Sequence, residues 1–244
     1  MEMIMGLGIA LPVVSTTAIG TVTGVAQGVA EQRRQNEDSS NQSRMLKFHL
    51  DVHLDARTSR SKSPAAKLAN RIVTLRDDKL WLEPQDHETG QPADEKSHPF
   101  TGFYVAYPDS DRPYTRGLVS TISRDPPVLN WVYIDKDTLE LKYASRSGSI
   151  AHHVGSFDWT AEDAVNEESA VTFEEWEGFV AIFEGEGKGW ALYFDIDDDG
   201  LKKVKNGRKS CEVSLRRRLL GSQDLNKWGL KEEGNIGFKA TKEV

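Results

Sequence analysis

The chain of 244 residues contains a single cysteine, Cys211, and this scarcity excludes an internal disulfide framework and any zinc site built on several cysteines. Basic residues are also few, since 31 Lys and Arg face 38 Asp and Glu and leave a net charge of −7. Phosphate backbones require a basic face, so the deficit opposes nucleic-acid binding. No positive charge precedes Arg33, which opposes a secretory signal and a mitochondrial presequence. We therefore expect a protein that is not secreted and that lies in the cytoplasm, free or attached to a membrane.

Charge is absent altogether from residues 3–30, and this front segment (residues 1–36) is rich in glycine. Gly20, Gly24 and Gly28 recur every four residues, which on a helix over residues 16–35 places them along one face that another helix can approach closely. The uncharged stretch exceeds the roughly 20 residues that span a bilayer. Three interpretations stay open: membrane association, packing on the domain or on a second copy, and a disordered tail.

The glycine spacing predicts that Gly24→Leu abolishes membrane association or self-association, because a leucine side chain holds the facing helix away. Liposome flotation and sedimentation of the full chain, beside a chain that begins at Ser43, measure this. Circular dichroism should show that the remaining domain stays folded. Unchanged fractionation of Gly24→Leu would contradict helix packing through these glycines.

The rest of the chain reads as one mainly β domain. Residues 37–44 (EDSSNQSR) have linker composition, residues 45–220 have strand patterns, and residues 221–244 form a polar tail. LKFHLDVHLD alternates apolar and polar residues, and RIVTLRDDKLWLE predicts a hairpin that turns at Asp77 and Asp78. Further strands are predicted at 100–107, 117–123, 128–135, 138–144, 177–184, 189–196 and 210–217. We expect an antiparallel sandwich or barrel-like domain that follows an N-terminal glycine-rich helix.

Three blocks of this domain carry a resemblance: GLVSTISRDPPVLNWVYIDKDTLELKYASRSGSI, VGSFDWT and WEGFVAIFEGEGKGWALYFDIDDDGLKK. They resemble a pattern found in uncharacterised proteins of filamentous fungi, over roughly residues 98–205. The DPPVLNWVYIDKDT run is its most specific part. The resemblance implies a fungal source and a shared domain, and it implies no activity.

The segment DIDDDG is a candidate calcium loop. Asp195, Asp197, Asp199 and Gly200 match the first positions of D-x-D-x-D-G, in which alternate carboxylates converge on a hard cation. The twelfth position is Asn206, where such a loop requires a glutamate. An acidic β-turn that closes a hairpin explains the same letters, so calcium and a turn remain alternatives.

The first strand carries a second candidate metal site. His49 and His53 alternate with Asp51 and Asp55 on its polar face, about 6.5–7 Å apart, and could share a metal ion. The alternative is a strand whose polar face contacts solvent. No other cofactor is indicated.

Aromatic residues offer a candidate ligand surface. Trp131 and Tyr133 follow Asp125-Pro126-Pro127 in an arrangement similar to an aromatic peptide-binding hairpin. Core packing is the alternative for these and for the remaining tryptophans. Cys211 alternates with apolar residues and is predicted to lie in the core.

These patterns favour a non-enzymatic, intracellular module that binds a protein or small-molecule ligand. One alternative is a soluble hydrolase that uses two carboxylates, for which two close acids with raised pKa would be the signature. The other is a lectin-like, ligand-binding β-sandwich, for which two exposed coplanar tryptophans beside residues 195–199 would be the signature. No spacing of the glutamates selects a catalytic pair.

Overall fold

The structure is a computed structural model that describes residues 45–54, 68–109, 111–124, 127–160 and 169–221. Residues 1–44 lie outside these ranges, and so do Gly20, Gly24 and Gly28. Within the described ranges there are fourteen strands and two short helices. The strands are β1 (Phe48–His53), β2 (Arg71–Arg76), β3 (Lys79–Pro84), β4 (His98–Pro99), β5 (Gly102–Ala106), β6 (Arg116–Arg124), β7 (Pro127–Ile134), β8 (Leu141–Ala144), β9 (Phe157–Trp159), β10 (Val171–Phe173), β11 (Phe179–Phe183), β12 (Trp190–Phe194), β13 (Ser210–Glu212) and β14 (Ser214–Leu219). The helices are α1 (Arg146–Ser149) and α2 (Lys202–Lys205).

Twelve strands form one antiparallel sheet, and the predicted mainly β, antiparallel fold is confirmed. Seven of these strands close a ring through the successive pairings β1–β2–β3–β8–β7–β6–β5–β1. The β11–β12 hairpin joins the ring where β12 pairs with β3, and β14 joins it by pairing with β1. Strands β9 and β10 form a separate pair. The β12–β3 pairing places the β2–β3 hairpin next to the β11–β12 hairpin.

The β2–β3 hairpin turns where the sequence predicts it. Asp77 and Asp78 both have positive φ, 51° and 57°, and Arg76 pairs with Lys79 across them. Two consecutive positive φ angles give a type I′ turn, whose twist matches that of the flanking strands. The six-residue register of this hairpin fixes which side chains of β3 face the neighbouring β12.

The predicted strand at 210–217 is divided into β13 and β14. The break falls at Val213, whose backbone N–H donates to the carbonyl of Phe179. Residues before the break pair with β11, and residues after it pair with β1. One alternating segment of the sequence thus forms two strands that pair with different partners. The alternation of apolar residues does not reveal this change of partner.

The polar face of β1 is covered more than its alternation predicts. His49 is fully buried, and its ring lies between the carbonyl of Phe100, 2.8 Å from Nδ1, and the side chain of Gln91, 3.3 Å from Nε2. His53, four residues later, is exposed. The expectation of a strand with one solvent-facing side is therefore wrong at His49, because a loop and the β4–β5 connection pack over it.

Three groups of apolar side chains fill the domain. The largest group consists of side chains that point inward from the ring and from β9 to β12. It includes Cys211, so the prediction that this residue lies in the core is confirmed. A second lies between β3 and the β11–β12 hairpin around Trp81 and Tyr193, and a third surrounds Tyr107 and Tyr133. In the described part of the chain, neither helix is long or apolar enough to cross a membrane.

Candidate functional site

A cleft of about 680 Å³ separates the β2–β3 hairpin from the turn that joins β11 to β12. We call it the Trp81 cleft. Trp81 and Trp190 lie in its lining, and the turn contributes the run from Glu186 to Gly189. A cleft of this size is within the range that small ligands occupy.

The charges around the Trp81 cleft are balanced. Three cationic and three anionic side chains line it: Arg71, Arg76, Lys188, Glu83, Asp94 and Glu186. Guanidinium and ammonium groups only donate hydrogen bonds, whereas ionised carboxylates only accept them. The cleft therefore presents donors and acceptors in similar number beside aromatic rings.

Arg76 crosses this cleft. Its guanidinium carbon lies 4.4 Å from the ring centroid of Trp81. Nη1 donates to Oε1 of Glu83 at 3.0 Å, and Nη2 donates to the carbonyl of Lys188 at 2.7 Å. The indole N–H of Trp81 donates to the carbonyl of Arg76 at 2.9 Å. One arginine thus covers the indole and joins the two walls.

Glu83 and Arg71 hold the rest of the β2–β3 wall. The Glu83 carboxylate accepts from the hydroxyl of Ser97 as well as from Arg76. Arg71 donates to the carbonyl of Leu82 at 2.8 Å, and burial lowers the pKa of its guanidinium while the charge of Glu83 acts to raise it. Both side chains are thus held by hydrogen bonds to other residues of the protein.

A cluster of ionised groups lies on the same face of β3 as Trp81, with the Lys79 ammonium 5.2 Å from the ring centroid of Trp81. The ammonium of Lys79 donates to Glu140 Oε1 at 2.7 Å and to Glu184 Oε1. The hydroxyl of Tyr193 donates its one proton to Glu184 Oε1 at 2.6 Å, and its oxygen also lies 3.1 Å from Glu140 Oε1. Lys142 lies 3.1 Å from Glu140, so each carboxylate has a cation beside it. We call these five residues the Lys79 cluster.

The pKa values of this cluster oppose the hydrolase interpretation. Burial alone would raise the pKa of the Glu140 and Glu184 carboxyls, but the hydrogen bonds and charge of Lys79 outweigh it and leave both pKa values below normal. Burial and the two carboxylates raise the pKa of Tyr193 far above its usual value. Both carboxyls are thus ionised at neutral pH, whereas glycoside hydrolysis requires one protonated acid.

Trp176 is the most exposed of the tryptophans in the described ranges, with 46% of its surface accessible. Its indole N–H donates to the carbonyl of Asp195 at 3.3 Å, which places it beside the DIDDDG turn. Ile196 is also exposed there. Trp81 and Trp190 are buried. Within the described ranges, Trp176 is therefore the one exposed tryptophan beside residues 195–199, whereas the lectin-like signature requires two.

The candidate calcium residues are arranged as a turn. Asp195 is buried, and its carboxylate accepts from the backbone N–H groups of Asp199 at 3.2 Å and Gly200 at 2.7 Å. Asp197 is exposed. No group of three or more His, Cys, Asp or Glu side chains in the described ranges is placed to hold a metal ion. Calcium at these residues and a metal at His49 and His53 stay predictions, and we derive no step through either.

Trp131 and Tyr133 pack against neighbours. The ring centroid of Trp131 lies 4.7 Å from that of Tyr107, and the ring of Tyr133 stacks on His152 at the same separation. Tyr133 is buried, and burial raises the pKa of its hydroxyl. The structure brings neither residue to the Trp81 cleft, so ligand binding at this pair remains a prediction.

Comparison with known proteins gives one match. A family model described as a fungal beta-trefoil domain matches residues 24–221. The match contains all three blocks on which the fungal resemblance rests, and it includes Gly24 and Gly28 but not Gly20. No curated protein and no solved structure matches the chain.

Proposed function

Because the chain belongs to the fungal beta-trefoil domain family, we propose that it is a non-enzymatic binding module that takes a neutral saccharide in the Trp81 cleft. β-Trefoil domains commonly bind ligands, and carbohydrates are frequent among them. A fold alone does not specify a ligand, so the proposal depends on the cleft. The observation that carries it is the balanced set of charged donors and acceptors beside Trp81.

The balance of charge favours a neutral ligand. A cation would lie near Arg71, Arg76 and Lys188, and an anion would lie near Glu83, Asp94 and Glu186. A hydroxyl group both donates and accepts, so neighbouring hydroxyls of a sugar can donate to a carboxylate and accept from a guanidinium. Hydrogen bonds to charged groups are the stronger ones, which compensates for the water that the ligand loses.

Trp81 supplies the apolar part of the site. The C–H face of a pyranose ring is apolar, and an indole is a large, rigid apolar surface with one polar atom. The indole N–H is already bonded to the Arg76 carbonyl, so its ring orientation is fixed. A sugar that stacks there would have its hydroxyl edges toward the charged rim.

Glu186→Ala should weaken saccharide binding by about tenfold or more, because a hydrogen bond to a charged group contributes about 1.5–3 kcal/mol. Glu186 is exposed on the β11–β12 turn, so the substitution should leave the domain folded. Screening on an array of neutral oligosaccharides, followed by calorimetric titration, measures the affinity.

Glu212→Ala is the matched control, since it removes the same charge from an exposed residue of β13 outside the cleft. It should bind as the wild type does. Equal affinities of the two variants, or no binding of any neutral saccharide by the wild type, would overturn the proposal.

We further propose that the protein lies in the cytoplasm and that residues 16–35 attach it to a membrane or to a second copy of the chain. The spacing of Gly20, Gly24 and Gly28 supports it, and these residues lie outside the described ranges. Flotation of Gly24→Leu, described above, tests it separately from saccharide binding.

A further inference from the structure

We infer that Arg76 is a latch that determines the specificity of the Trp81 cleft: its guanidinium covers the indole until a saccharide ring displaces it. The inference rests on the proposed function, because it concerns how that site admits its ligand. It adds a selection among neutral ligands, since only a ligand with a flat C–H face can replace the guanidinium on the ring.

The geometry shows what covers the indole. Trp81 is only 4% exposed: it packs in the second apolar group, and the Lys79 ammonium lies 5.2 Å from its ring centroid. Toward the cleft, the guanidinium of Arg76 stacks on the ring at 4.4 Å. The Arg76 side chain itself is 42% exposed. A side chain with so much accessible surface can swing toward solvent without rearrangement of the core, whereas Trp81 cannot move.

The contacts that hold Arg76 are of the kind that break easily. Its partners are Glu83 at 3.0 Å, Asp77 at 3.7 Å and the Lys188 carbonyl at 2.7 Å. Ion pairs and cation–π contacts at exposed sites each contribute little, because water replaces them. The covered form is thus favoured in the free protein without being locked.

The bond to Lys188 makes the latch act on the opposite wall. Lys188 lies in the β11–β12 turn, where an added Cβ at Gly187 or Gly189 would meet nothing within 4 Å. The base of the turn is fixed because Trp190 pairs with Leu82 of β3, whereas at its tip the Arg76 bond to the Lys188 carbonyl adds a side-chain contact to the β2–β3 hairpin. When a ligand displaces the guanidinium, the tip loses this contact, and the exposed side chain of Glu186 can adjust to the ligand.

The latch predicts a preference among uncharged ligands. Pyranose rings offer a C–H face that can replace the guanidinium on Trp81, whereas linear polyols such as sorbitol carry the same hydroxyls without that face. We expect the wild type to bind neutral pyranose oligosaccharides and to ignore linear polyols.

The test compares Arg76→Ala, Arg76→Lys and the exposed control Lys203→Ala on α2. Titration with neutral gluco-, galacto- and manno-oligosaccharides should show that Arg76→Ala binds tighter than wild type by about threefold to tenfold, which is the size of one exposed cation–π contact with its ion pairs. Arg76→Lys should be intermediate, since an ammonium keeps the charge but not the planar stacking. Lys203→Ala should match the wild type.

The indole ¹⁵N–H resonance of Trp81 gives an independent reading. It should move in free Arg76→Ala in the same direction as it moves when the wild type binds a saccharide. If the wild type binds and Arg76→Ala binds equally or more weakly, the latch is overturned while the proposed function stands. If neither protein binds any saccharide, the proposed function fails and the latch fails with it.

Discussion

Lys79→Ala is expected to lower the free energy of unfolding by about 3 kcal/mol, the lower end of the cost of breaking a buried ion pair. Glu140 would keep Lys142 at 3.1 Å and Glu184 would keep Arg208 at 3.7 Å, but both would lose their closest cation. The side chains of Lys79 and Glu184 are each 10% exposed, so little water can replace the lost ammonium. Glu140 and Glu184 both accept from the same Nζ atom, and without it they repel each other. In a domain of this size the melting temperature should fall by about 6–12 °C.

Urea denaturation at pH 7 measures the change, with Lys202→Ala as the control. Lys202 is exposed on α2, so its loss should alter the free energy of unfolding by less than about 0.5 kcal/mol. A triple variant, Lys79→Met with Glu140→Leu and Glu184→Leu, should recover most of the stability, since apolar groups of similar volume often replace buried ion pairs without loss. Equal stability of Lys79→Ala and Lys202→Ala would show that the cluster is solvated and contributes nothing.

The Lys79 cluster shows where sequence reasoning reaches its limit. Its members come from β3, β8, β12 and the residues just before β8 and just after β11. Lys79 is separated by 61 residues from Glu140 and by 105 from Glu184. Each residue alone has the appearance of a solvated charge on a strand end. Closure of the ring and the joining of β12 to β3 bring them together, and no local pattern encodes those pairings.

Features that depend on local backbone chemistry were predictable. The Asp77-Asp78 turn, the hairpin around it and the strand periods of β5 to β8, β11 and β12 follow from alternation and turn residues. Strands β9 and β10 escaped prediction because three residues are too few to show a period. The trefoil arrangement itself depends on pairings between distant strands. From the sequence, the predicted fold could be narrowed only to a sandwich or barrel-like domain.

The candidate site was not predicted from the sequence. Arg76 and Glu83 belong to one hairpin, Asp94 to a loop, and Glu186 and Lys188 to a turn about a hundred residues later. The signal that was available was weaker: a turn with three glycines, GEGKG, between two strongly apolar strands. Such a turn indicates a hairpin tip with little side-chain bulk. It does not indicate that the tip will lie across a cleft from the β2–β3 hairpin.

The DIDDDG turn shows that one motif can satisfy its carboxylates internally. Asp195 uses both oxygens to accept backbone N–H groups four and five residues later. Asp135, after β7, and Asp86, after β3, each accept the backbone N–H groups two and three residues later on a single oxygen, Oδ1. A recurrent aspartate after a strand therefore indicates a capped turn here, and the spacing alone could not separate that from a cation loop.

Gly102→Ala is expected to lower the free energy of unfolding by about 3 kcal/mol, at the upper end of what overpacking of a core costs. Gly102 begins β5, and it pairs with Phe48 of β1 on one side and Ser120 of β6 on the other. A Cβ at this position would come within 2.0 Å of the Val119 carbonyl and 2.5 Å of the Phe100 ring. Neither contact can be relieved by rotating a surface side chain, because one is backbone and the other is in the core.

Gly187→Ala is the control, since its added methyl group meets nothing within 4 Å. That variant should keep or slightly raise the melting temperature, because alanine reduces the freedom of the unfolded chain. Gly102→Ala should lower it by about 6–12 °C, as a domain of this size loses about 2–4 °C per kcal/mol. Because the β1–β5 pairing closes the ring, the β5 amide protons should exchange with solvent faster in Gly102→Ala than in the wild type. A melting temperature equal to that of Gly187→Ala would mean that the ring opens at β5 without cost, and closure would then depend on the other pairings.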